Sequence, residues 1–258
     1  MKKLFYPLII LFIIVLMVIN YLSYQAPKTK KFITQNKVYT NLNGEPLFVD
    51  IYCNHKSAYH QKEAFDEIFL KDDKGDNKWL LNLDDIFKKE SYSYLKESFN
   101  CYLYCFTLPK LTIDVEMEEA YLVLKLKNGE ELKLLIGSFN YYYQDNNNLN
   151  LIECFATKKD NLLELETVNL KFSLEEEFTI TKLKIGSRSF NYQKTVSAEE
   201  IVSLEIPPLL KIVDALSLKL TYQIGTREYH EVLPYFVFFE NFENPLSFSI
   251  LNNVYTVN

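Results

Sequence analysis

AYLVLKLKNG (residues 120–129) and LSLKLTYQIG (residues 216–225) are the stretches that decide the fold of this chain. In both, large apolar residues occupy every second position until a turn that ends in Gly129 or Gly225. A period of two is typical of β-strands that bury one face, and the turn leads into a second strand. The two stretches therefore predict a pair of similar β-hairpins.

The resemblance continues after these hairpins, because each copy ends in an aromatic strand, at residues 139–143 and 235–239. A polar run from Gln144 to Asn148 separates the copies. The pattern predicts an all-β body of two tandem immunoglobulin-like β-sandwich domains, residues 38–144 and 149–258, that follow an N-terminal transmembrane helix. One larger sandwich whose strands merely look alike is the alternative.

Two segments lie outside this repeat. In residues 83–98, two consecutive aspartates precede apolar residues, and this order predicts a short helix. In residues 246–257, alternating apolar residues surround Asn252-Asn253, which predicts a C-terminal hairpin.

The N-terminal segment predicts a membrane anchor. No charge occurs between Lys3 and Lys28, and the stretch from Leu4 to Leu22 is almost wholly apolar. A helix of roughly two dozen residues is ~36 Å long, enough to cross a ~30 Å hydrocarbon core. Because tyrosines replace the small residues of a cleavage site, we expect residues 1–27 to be an uncleaved signal anchor, with a cleaved signal peptide as the alternative.

Residues 28–37 contain four lysines and are predicted to form a basic linker. Lysines flank the apolar segment on both sides, so the positive-inside rule does not fix its orientation. A short leader that begins Met-Lys-Lys usually stays inside. We therefore expect a single-pass membrane protein whose C-terminal body is extracytoplasmic.

The charge distribution restricts the partners of that body. No acidic residue precedes Glu45, which leaves 22 basic and 34 acidic residues from Glu45 onward. A net charge of about −12 repels polyphosphates and argues against nucleic acid as a partner.

The cysteines leave two interpretations open. Cys101 and Cys105 lie four residues apart in an alternating stretch, so their Cα atoms would be ~13 Å apart on a strand, beyond disulfide reach. Cys53 could meet either one across the first sandwich, so Cys53, Cys101 and Cys105 are candidates for one disulfide. Free buried thiols that act as small apolar residues are the equal alternative, and Cys154 belongs to the other domain.

Catalytic motifs are scarce. His55 and His60, near Asn54 and Glu63, could join Cys53 in a thiol or metal site, although a chance surface loop with two histidines is the simpler interpretation. The acidic run at residues 72–77 lacks the ligand spacing of a calcium loop and is better explained as a polar turn. We therefore expect no enzyme, no cofactor and no metal.

The sequence thus favours a membrane-tethered extracytoplasmic protein-interaction or adhesion module. The membrane itself, through the N-terminal helix, and a protein are the predicted partners. An accessory subunit of a cell-envelope complex, whose membrane helix makes specific contacts, is the alternative. An enzyme built around His55 and His60 is a third class, set aside because no motif supports it.

Overall fold

The structure is a computed structural model that describes residues 12–17, 29–42, 44–75, 77–144, 149–158, 165–173, 176–197, 200–209, 211–213, 215–237, 244–247 and 249–257. Seventeen strands lie within these ranges, which confirms the all-β prediction. Four short 3-10 helices accompany them, at Ala58–His60, Lys62–Ala64, Pro245–Ser247 and Ser249–Leu251.

The first two sheets contain most strands of the N-terminal half. Their strands are β1 (Lys30–Gln35), β2 (Lys37–Leu42), β3 (Leu47–Cys53), β4 (Phe65–Asp72), β5 (Lys78–Leu80), β6 (Asn82–Tyr94), β7 (Glu97–Thr107), β8 (Val115–Leu126), β9 (Glu131–Tyr142) and β17 (Asn252–Val257). The first sheet has the order β17-β1-β3-β7-β6, and the second has the order β2-β9-β8-β4-β5. β6 is therefore an edge strand of the first sheet.

The third and fourth sheets contain the strands that follow. These are β10 (Asn150–Lys158), β11 (Leu165–Ser173), β12 (Phe178–Ile185), β13 (Arg188–Val196), β14 (Ile201–Glu205), β15 (Ala215–Ile224) and β16 (Arg227–Val237). The third sheet has the order β10-β11-β14, and the fourth has the order β13-β12-β15-β16. Inward residues of both sheets, such as Leu170 of β11 and Leu220 of β15, pack into one buried cluster. This is the arrangement of a two-layer sandwich.

The internal resemblance seen in the sequence has a counterpart in the strand order. In the second sheet, β9, β8, β4 and β5 are successive neighbours, and in the fourth sheet β16, β15, β12 and β13 follow the same order. The matched sequence stretches lie in β8 and β15, and the aromatic runs begin in β9 and β16.

β2 joins the two halves of the body. It pairs in parallel with β9, while Val38 packs into the core cluster of the third and fourth sheets. The amide of Val38 donates to the carbonyl of Ile212 over 2.8 Å, and the amide of Ser217 donates to Thr40 Oγ1 over 2.6 Å. Residues 31–255 accordingly form one compact unit.

Three local predictions need correction. Residues 30–35 of the predicted linker form β1, because residues 32–35 are all buried and Phe32 and Ile33 pair with β3. Residues 83–98 form strands rather than a helix, since β6 pairs with β7 through almost its whole length. The C-terminal segment forms two 3-10 turns and β17, which joins β1 in the first sheet instead of a hairpin in the second domain.

Most of the predicted anchor, residues 1–27, lies outside the described residues. Residues 12–17 are helical and exposed. Within the described part of the chain, no helix reaches the length and apolarity needed to cross a bilayer.

Gly137 provides a test of the β2–β9 contact. It lies opposite Lys37 with φ of +120°, and an added Cβ would lie 2.0 Å from the Lys37 carbonyl oxygen. Gly137→Ala must push the two strands apart, so we expect it to lower the free energy of unfolding by about 3 kcal/mol or more, measured by urea denaturation.

Gly129→Ala is the matched control for this substitution. Gly129 also has a positive φ, +90°, but no atom lies within 4 Å of an added Cβ. Only the backbone conformation opposes this change, at about 1–2 kcal/mol. Equal losses for the two variants would contradict the role given to the β2–β9 contact.

Candidate functional site

The candidate thiols lie on opposite faces of the first sheet. Cys53 is opposite Asn100 in the β3–β7 pairing, whereas Cys101 is opposite Tyr52, one residue out of phase. Successive residues of a strand point to opposite faces, and Cys105 shares the face of Cys101. All four cysteines are free thiols in the structure, and Cys53 lies on the face opposite to that of Cys101 and Cys105.

Cys53 instead meets the loop that carries the histidines. Its Sγ lies 2.8 Å from His60 Nε2, and His60 Nδ1 lies 3.1 Å from the hydroxyl of Tyr104. That hydroxyl donates to the carbonyl of Tyr59 over 2.6 Å. The His60 ring also stacks on Tyr102, with 3.7 Å between ring centroids. The structure therefore brings Cys53 and His60 together, as the thiol-site hypothesis requires.

Only one assignment of donors and acceptors is consistent along this series of hydrogen bonds. Tyr104 has a single hydroxyl proton, which goes to Tyr59, so its oxygen accepts from His60 Nδ1–H. His60 Nε2 is then unprotonated and accepts the S–H of Cys53. The carbonyl of His55, 3.0 Å from Sγ, offers the thiol a second acceptor.

The electrostatics of the pair do not favour nucleophilic catalysis. Burial, followed by repulsion from His55, lowers the pKa of His60 to about 4. Burial also raises the pKa of Cys53 above its ordinary value. Both groups are therefore neutral at pH 7, whereas an active cysteine nucleophile needs a thiolate. The arrangement holds the loop onto the sheet.

The remaining members of the predicted site lie apart from this pair. His55 Nδ1 is 3.2 Å from Asn54 Oδ1, and the His55 ring packs edge-on against Phe32. Glu63 lies in the second 3-10 turn. Among the residues that the structure describes, no group of three or more histidine, cysteine or acidic side chains is arranged to hold a metal ion.

The acidic run of residues 72–77 closes the turn between β4 and β5. Asp72 Oδ2 accepts from the backbone amide of Asn77 over 3.1 Å and from its side-chain amide over 2.9 Å. One carboxylate oxygen thus bonds within the turn, as side chains of this type do in tight turns.

Sequence reasoning missed a buried ionic cluster around Asp50. This carboxylate lies 3.2 Å from Lys37 Nζ and 2.9 Å from Lys89 Nζ, and the thiol of Cys101 approaches it at 3.6 Å. Burial acts to raise the pKa of Asp50, but the two ammonium groups outweigh it, so its pKa lies below the ordinary value. From the alternating pattern of β3, we would expect an apolar residue or a solvent-exposed charge at position 50, not a buried carboxylate. No signal in the sequence points to two distant lysines.

This cluster divides the outer face of the first sheet, the face that carries Asp50, into two halves. One half is covered by the chain itself, since Leu246 packs on Ile33, Tyr52, Phe99 and Cys101. The other half is only partly covered, and we call it the open patch: it consists of the exposed Phe48 and Phe87, the half-buried Leu103 and the buried Cys105. The side chains of Phe48 and Phe87 are 41% and 51% exposed.

The open patch is contiguous across three strands. Phe48 of β3 is directly opposite Cys105 of β7, and the next outward position of β7, Leu103, is opposite Phe87 of β6. Residues paired in this way have neighbouring side chains. The outer face of the first sheet thus carries a contiguous apolar surface that is partly exposed.

No family model and no curated protein sequence matches this chain. Among solved structures, it is similar to the D00-D0 domain of intimin, with 10% identity, a TM-score of 0.20, and coverage of 81% of this chain and 100% of that one. The fibronectin(III)-like modules of Clostridium thermocellum CbhA share 9% identity at a TM-score of 0.20, and the match covers 80% of this chain and 94% of that one. A marsupial T cell receptor shares 10% identity at a TM-score of 0.24, and the match covers 80% of this chain and 61% of that one. Similarity at this level assigns no family.

The pKa of His60 leads to a pH-dependent stability. The unfolded imidazole titrates near 6.5 and the folded one near 4, so the unfolded state binds more protons between these values. The contribution of neutral, buried His60 to the free energy of unfolding is fully present above pH 6.5 and is lost as the pH falls toward 4. The full shift corresponds to about 3 kcal/mol, and solvent screening of this half-buried ring reduces the expected loss to about 1–2 kcal/mol.

His60→Phe is the variant that isolates this effect. Phenylalanine preserves stacking on Tyr102, the Cys53 thiol can turn to the His55 carbonyl, and Tyr104 keeps its bond to Tyr59. Urea unfolding at pH 7 and pH 4.5 should show a smaller fall in stability for this variant than for the natural chain. An identical fall would mean that His60 does not titrate as described.

Proposed function

We propose that the protein is a membrane-tethered, extracytoplasmic protein-interaction module built from two immunoglobulin-like sandwiches. The observation that carries the proposal is the open patch on the first sheet. Contiguous exposed apolar surface on a folded domain commonly marks a contact with another protein or with a membrane.

The composition of the open patch suits a protein partner. Aromatic side chains supply large contact areas at protein interfaces, and Phe48 and Phe87 are the exposed aromatic members of the patch. The Asp50–Lys89 ion pair lies at its border, where polar groups commonly surround an apolar centre. Since Leu246 already covers the other half of the same face, a partner would complete a covering that the chain begins.

The proposal assigns no catalytic role to Cys53 and His60, because both groups are neutral near pH 7. The acidic body argues for a protein rather than a nucleic acid partner. Support for the tether comes from the apolar stretch between Leu4 and Leu22, which is long enough to span a bilayer.

The tether is tested in cells that express the full chain with a C-terminal tag. We expect the protein to remain in the membrane pellet after alkaline carbonate extraction, because an apolar helix resists such extraction. External protease should digest the body in intact cells with an accessible outer face. Digestion only after permeabilisation would contradict the extracytoplasmic orientation, and release by carbonate would contradict the anchor.

The open patch is tested by site-specific photo-crosslinking. A benzophenone amino acid replaces Phe87 in one strain and Leu80 in a control strain. Leu80 is also apolar and exposed, at 63%, but lies on β5 of the second sheet. We expect a discrete crosslinked protein from position 87 only, and Phe48→Ser in the same chain should reduce its yield by about tenfold.

Equal crosslinking from both positions, or none from position 87, would contradict a partner at the open patch. Replacement of residues 4–22 by an unrelated apolar helix distinguishes the interaction module from the alternative, an accessory subunit of an envelope complex. If the protein is an interaction module, the crosslink from position 87 persists. If it is a subunit recognised through its membrane helix, the crosslink is lost.

A further inference from the structure

The turn between β6 and β7 has an unusual backbone. Leu95 and Lys96 both have positive φ, 48° and 66°, and no glycine is present. Two-residue hairpin turns of this kind favour Asn-Gly, because a branched or long side chain is strained in the left-handed region. A strained turn that keeps a large apolar residue suggests that the residue serves a purpose other than stability.

The side chains at this turn are unusually exposed. Leu95 is 73% exposed at the tip, and Lys96 beside it is also exposed. Tyr94, on the strand side of the turn, is half-buried and packs against Phe99. Lys56, in the loop that follows β3, is exposed as well. An apolar tip with neighbouring lysines has the chemistry of a membrane-surface contact.

The turn lies at the end of the first sheet where β1 begins. Lys31 Nζ is 2.6 Å from Glu97 Oε1, and Asn54 Nδ2 donates to Glu97 Oε2 over 2.9 Å. The amide of Lys31 donates in turn to Asn54 Oδ1. These bonds fix the hairpin beside the point where the chain enters the body.

The length of chain before β1 limits the distance to a membrane. Only residues 23–29 lie between the end of the apolar stretch at Leu22 and the start of β1 at Lys30. Eight peptide steps span at most about 28 Å when fully extended. An anchor in residues 1–27 would therefore keep this end of the sheet close to the lipid headgroups.

We propose that the hairpin tip formed by Leu95 and Lys96 lies on the surface of the bilayer that holds the N-terminal segment. This inference rests on the proposed membrane tether. Leu95 enters the boundary between headgroups and acyl chains, while Lys96 and Lys56 face anionic headgroups. The contact fixes the tilt of the body, and with it the direction in which the open patch faces.

A fluorescent label at the tip tests the proposal. The full chain is reconstituted in phosphatidylcholine vesicles that contain about 25% phosphatidylglycerol. Leu95→Cys receives an environment-sensitive dye in the native state of a chain that also carries Cys154→Ala, where the three remaining natural thiols are buried and react slowly. Ile113→Cys is the control, because Ile113 is 65% exposed and follows the opposite end of β7. Lipids with a shallow nitroxide should quench about half of the emission at position 95 and little at position 113.

Flotation of the same vesicles separates the possible failures. If the protein floats but position 95 is quenched no more than position 113, the membrane contact is wrong and the tether stands. Strong quenching at both positions would also overturn a contact specific to the tip. If the protein does not float with the vesicles, the tether fails and the contact fails with it.

A second variant does not depend on labelling. Asparagine adopts the left-handed region more readily than leucine, so Leu95→Asn should raise the urea midpoint of unfolding. In vesicles, trypsin cleavage after Lys96 should be slower than in detergent for the natural chain, and Leu95→Asn should abolish this protection. Cleavage after Lys110, at the opposite end of the sheet, serves as the control. Equal protection of the Lys96 site from trypsin in the natural chain and in Leu95→Asn would overturn the role given to Leu95.

Discussion

The close approach of β2 to β9 is the constraint on which the rest of the body depends. Gly137 permits it, because any side chain there would overlap the backbone of Lys37. β2 can then pair with the second sheet while Val38 packs into the core of the third and fourth sheets. One short strand thus connects the second sheet to the core of the third and fourth sheets.

Several buried polar groups of the first sheet are matched to one another. Asp50 is balanced by Lys37 and Lys89, and His60 links the thiol of Cys53 to the hydroxyl of Tyr104. Such matching lowers the free-energy penalty of burying polar groups, but it leaves the Cys53 thiol and the His60 imidazole neutral and not activated for catalysis near pH 7. What the first sheet exposes on its outer face is the apolar surface of the open patch.

Local pattern was enough to predict β-structure but not its pairing. Alternation predicted β8 correctly, because Leu122, Leu124 and Leu126, at every second position of that strand, are buried. It failed for β6, where two aspartates imitate a helix start and the pairing comes from β7. No local signal could place β17 beside β1, at the other end of the chain. Likewise, Cys53 and His60 are close in sequence, whereas Tyr104 comes from a strand 44 residues beyond His60.

The edge position of β6 has a consequence for self-association of the protein. A long unpaired edge strand can pair edge to edge with a strand of a neighbouring copy. β6 interrupts its own ladder with two bulges and exposes a run of charged residues, Asp84, Asp85, Lys88, Lys89 and Glu90. These features oppose fibre growth through the backbone. Copies of the protein can therefore reach a high local concentration without joining strand to strand into fibres.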